Sequence, residues 1–246
     1  MRDAFQRMRI AIVSDIHGNL TALEAVLADL RQTAPDLILN GGDLPQGGSS
    51  PVVVLDRIRD LGWPGVVGNT DEMLYRPESL EEFASQSSAP PLLWPPIRKM
   101  AEATRSLLGE DRLAWLRELP LVQIHGSLAL VHASPATCWR SPTEQSSDAE
   151  LESIYSPLGK PRVVYGHIHK SFIRNVGGIE VANSGSVSLS YDGDPRASYL
   201  LLDESKPSIR RVEYEVDREI QALANCGLPH ADWLARILKS ASPQMP

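Results

Sequence analysis

Five short apolar runs in this sequence each lead into a polar side chain that can bind a metal ion. The most informative run is Arg162–Tyr165, which is followed by Gly166 and then by two histidines two residues apart. A hydrophobic core has no need of such a pair, whereas neutral imidazole is a common protein ligand of transition metals. The polar side chains at the five run ends are Asp15, His17, Asp43, Asn69, His132, His167 and His169. We expect these ends to meet at two metal ions.

The spacing of the runs predicts how the ends come together. The strand-like runs Met8–Ser14, Asp36–Asn40 and Trp63–Val67 alternate with two helical patterns, one beginning after Asn19 and one at Val52–Leu61. This β-α-β-α-β order predicts a parallel sheet with right-handed crossovers. Ligands of such sheets bind beyond the carboxyl ends of the strands, where the first polar residues lie.

The rest of the chain predicts a second group of strands. Residues 70–118 are interpreted as helices that form a cap or wall beside the site, with helices at Met100–Leu108 and Arg112–Leu119. The later part predicts mostly antiparallel strands, including Ser208–Val216, so a mixed sheet or two packed sheets flanked by helices fits best. With no repeat and no boundary signal, we predict one domain over residues 1–246.

Composition narrows the class of protein. The chain has 246 residues, of which 42% are hydrophobic and 22% charged, as is typical of globular proteins. No apolar run approaches the roughly 20 residues of a membrane span, so no membrane partner is expected. The amino terminus lacks the apolar stretch of a secretory signal, and Cys138 and Cys226 form no C-x-x-C pair. We therefore expect reduced thiols and a cytoplasmic protein.

The net charge of −7 argues against bulk nucleic-acid binding. It does not argue against a phosphate ester, because two divalent ions partly neutralised by Asp15 and Asp43 would leave the site locally positive.

The ligand types predict which ions bind. Carboxylate, imidazole and amide oxygen suit Mn, Fe, Zn, Ni or Mg, with manganese as our first candidate. His167 and His169 lie two residues apart in an extended segment and point the same way, about 6–7 Å apart at Cα. Because paired metals in hydrolytic sites lie about 3.5–4 Å apart, each histidine can serve one ion. Asp43 is the candidate bridge, since two preceding glycines allow close backbone approach.

Taken in order, these motifs resemble those of a known family. Asp15-x-His17, Gly42-Asp43, Gly68-Asn69, His132 and Gly166-His167-x-His169 are similar to the calcineurin-like metallophosphoesterase superfamily, in particular its small prokaryotic phosphodiesterase-like branch. The segment Asn183–Val187 also resembles the family. The resemblance implies an α/β fold, a four-layer α/β-β/α sandwich with two mixed sheets flanked by helices. It assigns one metal to Asp15, His17, Asp43 and His169, and the other to Asp43, Asn69, His132 and His167.

The implied function is phosphoester hydrolysis that depends on two divalent metal ions, with a hydroxide held by both metals as nucleophile. We expect Asp43, Asn69 and Thr70 to act in catalysis, and Asn69, Thr70 and Arg140 to contact substrate. Thr70 departs from the family, which often has a histidine there, and a threonine cannot act as a general acid near neutral pH. Esters with good leaving groups should therefore react best. The expected partner is a small phosphoester, with a nucleotide among the candidates, and the oligomeric state is left open.

Two alternatives remain open at this point. The first is a phosphomonoesterase or protein phosphatase on the same fold, against which Thr70 and the lack of an obvious basic docking surface count. The second is a binding scaffold without catalysis, against which the complete set of ligand positions counts. Asp71 and Asp192 are candidates for carboxylates that support the ligands from behind.

Overall fold

The computed structural model describes residues 8–203 and 206–246. Its strands are β1 (Ile10–Val13), β2 (Leu37–Asn40), β3 (Val122–His125), β4 (Leu128–Val131), β5 (Arg162–Tyr165), β6 (Phe172–Val176), β7 (Ile179–Asn183), β8 (Ala197–Asp203) and β9 (Lys206–Val212). Its α-helices are α1 (Leu20–Thr33), α2 (Pro51–Leu61), α3 (Asn69–Tyr75), α4 (Glu78–Gln86), α5 (Trp94–Arg117), α6 (Asp148–Tyr155), α7 (Val216–Asn225) and α8 (Ala231–Ser240). Short 3-10 helices lie at Pro91–Leu93 and Ser156–Leu158.

The strands form two mixed sheets, as predicted. The first sheet has the order β2-β1-β8-β9 and the second has the order β3-β4-β5-β7-β6. In the first sheet β1 pairs parallel to β2 and antiparallel to β8. In the second sheet β5 pairs parallel to both of its neighbours, β4 and β7. The carboxyl ends of β1, β2, β4 and β5 are the ends that carry the candidate ligands.

The sheets pack face to face and helices cover their outer faces. A core between the sheets contains Ile12 and Leu200 of the first sheet and Leu130 and Val164 of the second. A second core packs α1 and α2 on the outside of the first sheet. A third packs α6 on the outside of the second sheet, where Tyr155 contacts the strand residues. Successive residues of a strand point to opposite faces, and both faces carry apolar side chains here, so each sheet packs on the other sheet with one face and on helices with the other. This layering matches the predicted four-layer sandwich.

Several predicted elements were wrong in detail. The predicted third strand, Trp63–Val67, contributes only a single bridge between Gly65 and Asn40. Pairing stops there because the amide of Val67 donates instead to the carbonyl of Pro120, at 3.0 Å. The last strand ends at Val212 rather than Val216, where α7 begins.

The later strands pair mostly antiparallel, as predicted, and the exceptions are the parallel pairs β4–β5 and β5–β7. The chain returns through α6 between β4 and β5, and this crossover makes the two strands parallel. The β6–β7 hairpin then places β7 parallel to β5. Periodicity in the sequence identified the strands but carried no information on which strand each one would pair with.

The segment of residues 70–118 is helical, as expected, and is built from most of α3 together with α4 and α5. Gly109 interrupts α5 with a φ of 70°, between the two helices predicted for this region. The assignment of residues 1–246 to one domain stays a prediction. None of the helices in residues 8–203 and 206–246 is long and apolar enough to cross a membrane.

Candidate metal centre

The backbone at the strand ends adopts a conformation that side chains other than glycine rarely take. Within the described residues, eight residues other than glycine have positive φ, and five of them are candidate ligands. These five are Asp15, His17, Asp43, His167 and His169. Such a conformation costs roughly 1–3 kcal/mol for each residue and collects at functional sites. The surrounding fold therefore holds these side chains inward against a local cost.

The first group of side chains contains Asp15, His17, Asp43 and His169, all buried, with donor atoms within 4.8 Å of one another. The Nε2 atoms of His17 and His169 lie 3.1 Å apart. Nε2 of His169 lies 3.1 Å from Oδ1 of Asp15, and Nε2 of His17 lies 3.6 Å from Oδ2 of Asp43. A set of two carboxylates and two imidazoles at this separation could hold one divalent ion.

The second group shares Asp43 with the first. Oδ1 of Asp43 lies 3.5 Å from Nε2 of His132, while its other oxygen faces His17. Oδ1 of Asn69 lies 3.1 Å from Nε2 of His132 and 2.9 Å from Nδ1 of His167. The structure thus brings all seven predicted side chains together in two adjoining groups. Their assignment as metal ligands stays a prediction.

Hydrogen bonds to the backbone determine which ring nitrogen each histidine presents. Nδ1 of His17 lies 2.7 Å from the carbonyl oxygen of Gln46, and Nδ1 of His132 lies 2.7 Å from that of Gly41. Nδ1 of His169 lies 2.6 Å from the carbonyl oxygen of Leu189. A carbonyl only accepts, so each Nδ1 carries a proton and each ring directs its Nε2 toward the cluster, where a neutral ring presents a lone pair.

Those lone pairs make the cluster a good fit for cations. Two Nε2 lone pairs that face each other at 3.1 Å repel unless a positive charge lies near them. The neighbouring carboxylate and amide oxygens add further lone pairs. The chemistry of the donor set therefore fits divalent metal ions, and His17, His132, His169 and the carboxylates are preorganised to hold them.

The pKa shifts of the buried side chains differ in direction. Burial lowers the pKa of His17, and burial lowers the pKa of His167 to about 4. Burial alone would raise the pKa of Asp15, but the attraction of His169 and the other imidazoles outweighs it and lowers that pKa overall. Burial would lower the pKa of His132, yet Asp43 and Asp15 raise it. The Asp15 carboxylate therefore stays charged and attracts positive charge.

Two glycines allow the strand ends to approach this closely. Gly42 has a φ of 87°, and a Cβ there would lie 2.6 Å from the amide nitrogen of Gly68. A Cβ on Gly166 would lie 2.3 Å from Oγ of Ser14 and 2.4 Å from Oδ2 of Asp15. Any larger residue at either position would push the ligand-bearing turns apart.

Comparison with known proteins identifies the family. Residues 8–206 match the family model described as the calcineurin-like phosphoesterase superfamily domain. The chain belongs to this superfamily. That assignment and the buried Asp and His cluster together support divalent metal ions as cofactors.

Relatives of this chain match it over regions of different length. An uncharacterized protein of Methanocaldococcus jannaschii, MJ0912, is 31% identical over 93% of this chain and 96% of its own length. A symmetrical bis(5'-nucleosyl)-tetraphosphatase of Pectobacterium carotovorum is 30% identical over 63% of this chain. The matched region spans about half of that relative, 53% of its length. A metallophosphoesterase of Sphaerobacter thermophilus has a TM-score of 0.76 and 27% identity, covering 96% of this chain and 99% of its own.

Of the two carboxylates predicted to support the ligands of this superfamily member, Asp71 contacts the turn that carries Asp43 and Asp192 does not. Oδ2 of Asp71 accepts from the amides of Asp43 and Gly68 at 2.8 and 2.9 Å, and Oδ1 accepts from Leu44 at 2.9 Å. Burial, reinforced by the nearby Asp43, raises the pKa of Asp71 to about 6. Asp71 thus holds the turn that carries Asp43. Asp192 instead forms an ion pair with Arg211 and contacts Ser190.

The segment Asn183–Val187, which also resembles the family, supports the site from behind. Oγ of Ser186 donates to the carbonyl of Asp15 at 2.8 Å. The side-chain amide of Asn183 donates to the carbonyl of Gly166 at 2.5 Å. Both bonds hold a turn that carries candidate ligands.

Of the two residues predicted to contact substrate beside Asn69, Thr70 lies at the cluster and Arg140 lies outside it. The amide of Thr70 donates to Oδ1 of Asp43 at 2.9 Å, and its hydroxyl oxygen is buried without a hydrogen-bond partner. Arg140 is exposed, contacts Gln86 and stacks over the ring of Phe83. It lines a neighbouring cavity with Ser134 rather than the cavity at the cluster. Substrate contact by Arg140 stays a prediction.

Sequence reasoning missed several residues that shape the site. Gln46 and Leu189 supply carbonyls to histidines, and Tyr191 stacks on His169 with ring centroids 4.6 Å apart. An apolar cavity opens beside Asn69 and Thr70. No local pattern marks these residues, because they act through backbone atoms or through packing across distant segments.

Proposed function

We propose that this chain is a binuclear-metal-dependent phosphoester hydrolase that prefers phosphodiesters. The observation that carries the proposal is the convergence of seven side chains into two groups that share Asp43. Membership of the calcineurin-like phosphoesterase superfamily supports the reaction class.

Each candidate residue has a proposed role that follows from its place in the site. Divalent ions bound here would lower the pKa of a water molecule and neutralise phosphate oxygens. Asp15 stays ionised, and the backbone carbonyls keep the Nε2 atoms of His17, His132 and His169 directed inward. Asn69 and Thr70 face the opening of the cluster, where the unpaired hydroxyl of Thr70 can donate a hydrogen bond to a phosphate oxygen.

Thr70 also favours diesters with good leaving groups. No histidine stands at this position to protonate a departing alkoxide, so the rate should fall steeply as the leaving group becomes more basic. The filled ligand positions argue against a scaffold that lacks catalysis. Hydrolysis of phosphomonoesters or phosphoproteins remains the competing activity to be compared.

The finer attributes of the enzyme are also proposals. Manganese is our first candidate ion, and the mixed oxygen and imidazole donors also accept iron, zinc, nickel and magnesium. A small phosphoester is the proposed substrate, which the tetraphosphatase name of the Pectobacterium relative supports. Catalytic roles of Asp43, Asn69 and Thr70 and a cytoplasmic location complete the proposal.

The test is turnover of bis(p-nitrophenyl) phosphate by protein loaded in turn with each ion, with p-nitrophenyl phosphate and a phosphoserine peptide as monoester substrates. We expect diester hydrolysis with Mn²⁺, its loss on chelation and its recovery when the ion is restored. Asp43→Asn should lower kcat by at least about 100-fold, whereas Asn at the exposed Asp60 should leave it unchanged.

Two outcomes would contradict the proposal. Failure of every ion to raise turnover above the chelated control would remove the hydrolase assignment. Faster turnover of the phosphoserine peptide than of the diester would replace the diesterase by a phosphatase.

A further inference from the structure

An apolar cavity of about 350 Å³ adjoins the candidate metal centre. Its volume lies in the range of pockets that bind small molecules. Helices α4, α5 and α8 and the loop after β4 supply its large side chains, which include Phe83, Trp94, Ile97, Met100, Trp139 and Trp233. Within this wall Phe83 packs on Trp94 and Trp139, with ring centroids 5.9 and 5.0 Å apart.

The cavity and the cluster share residues. His17, Asn69, Thr70 and His167 line the cavity and belong to, or adjoin, the two groups of candidate ligands. A phosphate held at the cluster would therefore carry one of its ester groups directly into this space. The apolar wall faces the substrate rather than a separate surface.

The lining excludes charge. No Lys, Arg, Asp or Glu from the described parts of the chain lines the cavity. The nearby cation, Arg140, stacks on Phe83 with its guanidinium carbon 5.3 Å from the ring centroid and lines a different cavity. A polyphosphate chain placed here would lose its hydration without gaining a counter-charge, which is costly.

Two buried polar side-chain atoms of the described lining residues lack a hydrogen-bond partner. Oε1 of Gln46 and Oγ1 of Thr70 are buried and have no hydrogen-bond partner, and Gln46 is 3% exposed as a residue. The amide oxygen of Gln46 can only accept a hydrogen bond, whereas the hydroxyl of Thr70 can also donate one. Buried polar atoms without partners are uncommon in folded proteins, and these two atoms would suit a polar group such as the phosphate, whereas the apolar side chains determine which ester group fits the rest of the cavity.

We propose that the substrate is a phosphodiester whose non-leaving ester group is neutral and apolar, either aryl or alkyl, and fills this cavity. The inference rests on the proposed function, because it takes the phosphate to bind at the metal cluster. It goes beyond that function by naming the substrate class and the residues that select it.

The first experiment uses p-nitrophenyl diesters that share one leaving group and differ in the second ester. With Mn²⁺-loaded protein, kcat/KM should rise from methyl through n-hexyl to 2-naphthyl, by about 100-fold or more in total and mainly through KM. A second ester that ends in a carboxylate should react no better than methyl. Thymidine 5'-p-nitrophenyl phosphate should fall below the naphthyl ester.

The second experiment needs no turnover. Three of the five tryptophans, Trp94, Trp139 and Trp233, line the cavity, so their fluorescence reports occupancy. In metal-loaded and metal-free protein, n-hexyl methylphosphonate should change this emission saturably and bind at least about tenfold more tightly than methyl methylphosphonate.

Adjacent leucines offer a matched pair of variants. Leu93 lines the cavity, whereas Leu92 is 77% exposed and does not. Leu93→Gln should weaken hexyl phosphonate binding by about tenfold, and Leu92→Gln should leave it unchanged.

The outcomes separate this inference from the proposed function. Equal binding of the hexyl and methyl phosphonates, or preference for the carboxylate or nucleoside ester, overturns the apolar pocket. Tight hexyl phosphonate binding without hydrolysis of any diester keeps the pocket and overturns the hydrolase.

Discussion

Individual residues at the strand ends adopt backbone conformations that are unfavourable in free energy but direct their side chains into the candidate site. Asp15, His17 and Asp43 have left-handed backbone conformations, which aspartate and histidine tolerate better than β-branched residues do. Each turn is held by hydrogen bonds from elsewhere, as when the amide of His17 donates to the carbonyl of Asp43 at 3.0 Å. The donor types could be predicted from sequence, since they follow directly from residue identity.

Asp71 should control metal affinity without contacting the metal. Its carboxylate accepts three backbone amides that hold the Asp43 turn. In Asp71→Asn one oxygen is replaced by an NH₂ group that faces donors, so the turn should loosen. We expect Mn²⁺ affinity, measured by calorimetry, to fall by about 10–100-fold.

The matched control is Asp232→Asn, which changes an exposed acid in the first turn of α8. It should bind Mn²⁺ as the unchanged protein does. Unaltered affinity in Asp71→Asn would show that the Asp43 turn is held by its other contacts.

At the scale of elements, most helices and strands were predictable and their partners were not. The apolar periodicity of α1, its Asn19 N-cap and the break of α5 at Gly109 are local signals. The segment Trp63–Val67 has the composition of a strand, yet Val67 bonds to Pro120 instead of continuing the pairing. The tertiary structure decides which backbone carbonyl lies opposite the amide of Val67.

An ion pair between elements should make stability depend on pH. Asp29 on α1 accepts from Tyr199 on β8 at 2.6 Å and from Arg210 on β9 at 2.8 Å. Partial burial raises the pKa of Asp29, but these hydrogen bonds outweigh it and lower that pKa overall. The folded pKa thus lies below the unfolded value of about 3.9, so the stabilisation is present above that pH and is lost as pH falls through the folded pKa.

Urea denaturation of Asp29→Asn tests this dependence. At pH 7 the variant should lose about 1–2 kcal/mol of unfolding free energy, and the difference should shrink below pH 4 as Asp29 becomes protonated in the unchanged protein. Asp111→Asn, which changes an acid with an 83% exposed side chain that pairs with Arg59, should lose less than about 1 kcal/mol. A difference for Asp29→Asn that does not vary between pH 7 and pH 3 would reject the ionic contribution.

For the whole molecule, the core between the two sheets packs against strands that lead into candidate ligands. Leu200 lies in this core at the centre of β8 and is fully buried. β8 pairs directly with β1, which leads into Asp15 and His17. Packing between the sheets therefore connects global stability with the geometry of the site.

Leu200→Ala should lower the free energy of unfolding by about 2–5 kcal/mol, because it leaves a cavity that rigid sheets cannot close. Leu107→Ala, at a position 52% exposed on α5, should change it by no more than about 0.5 kcal/mol. Chemical denaturation of both variants measures the difference. Equal values would mean that the sheets relax around the lost volume.

The sequence by itself determined the types of donor group, most of the local elements and the family, because residue identity, periodicity and motif order are properties of the linear chain. Only the tertiary structure decided that Nε2 of His169 lies 3.1 Å from Oδ1 of Asp15, a residue far away in the sequence. It also decided which carbonyls orient the histidines and that a cavity lined by no charged residue of the described chain adjoins them. These features arise from packing between sheets and helices, which depends on all the chain at once and leaves no mark at any single position.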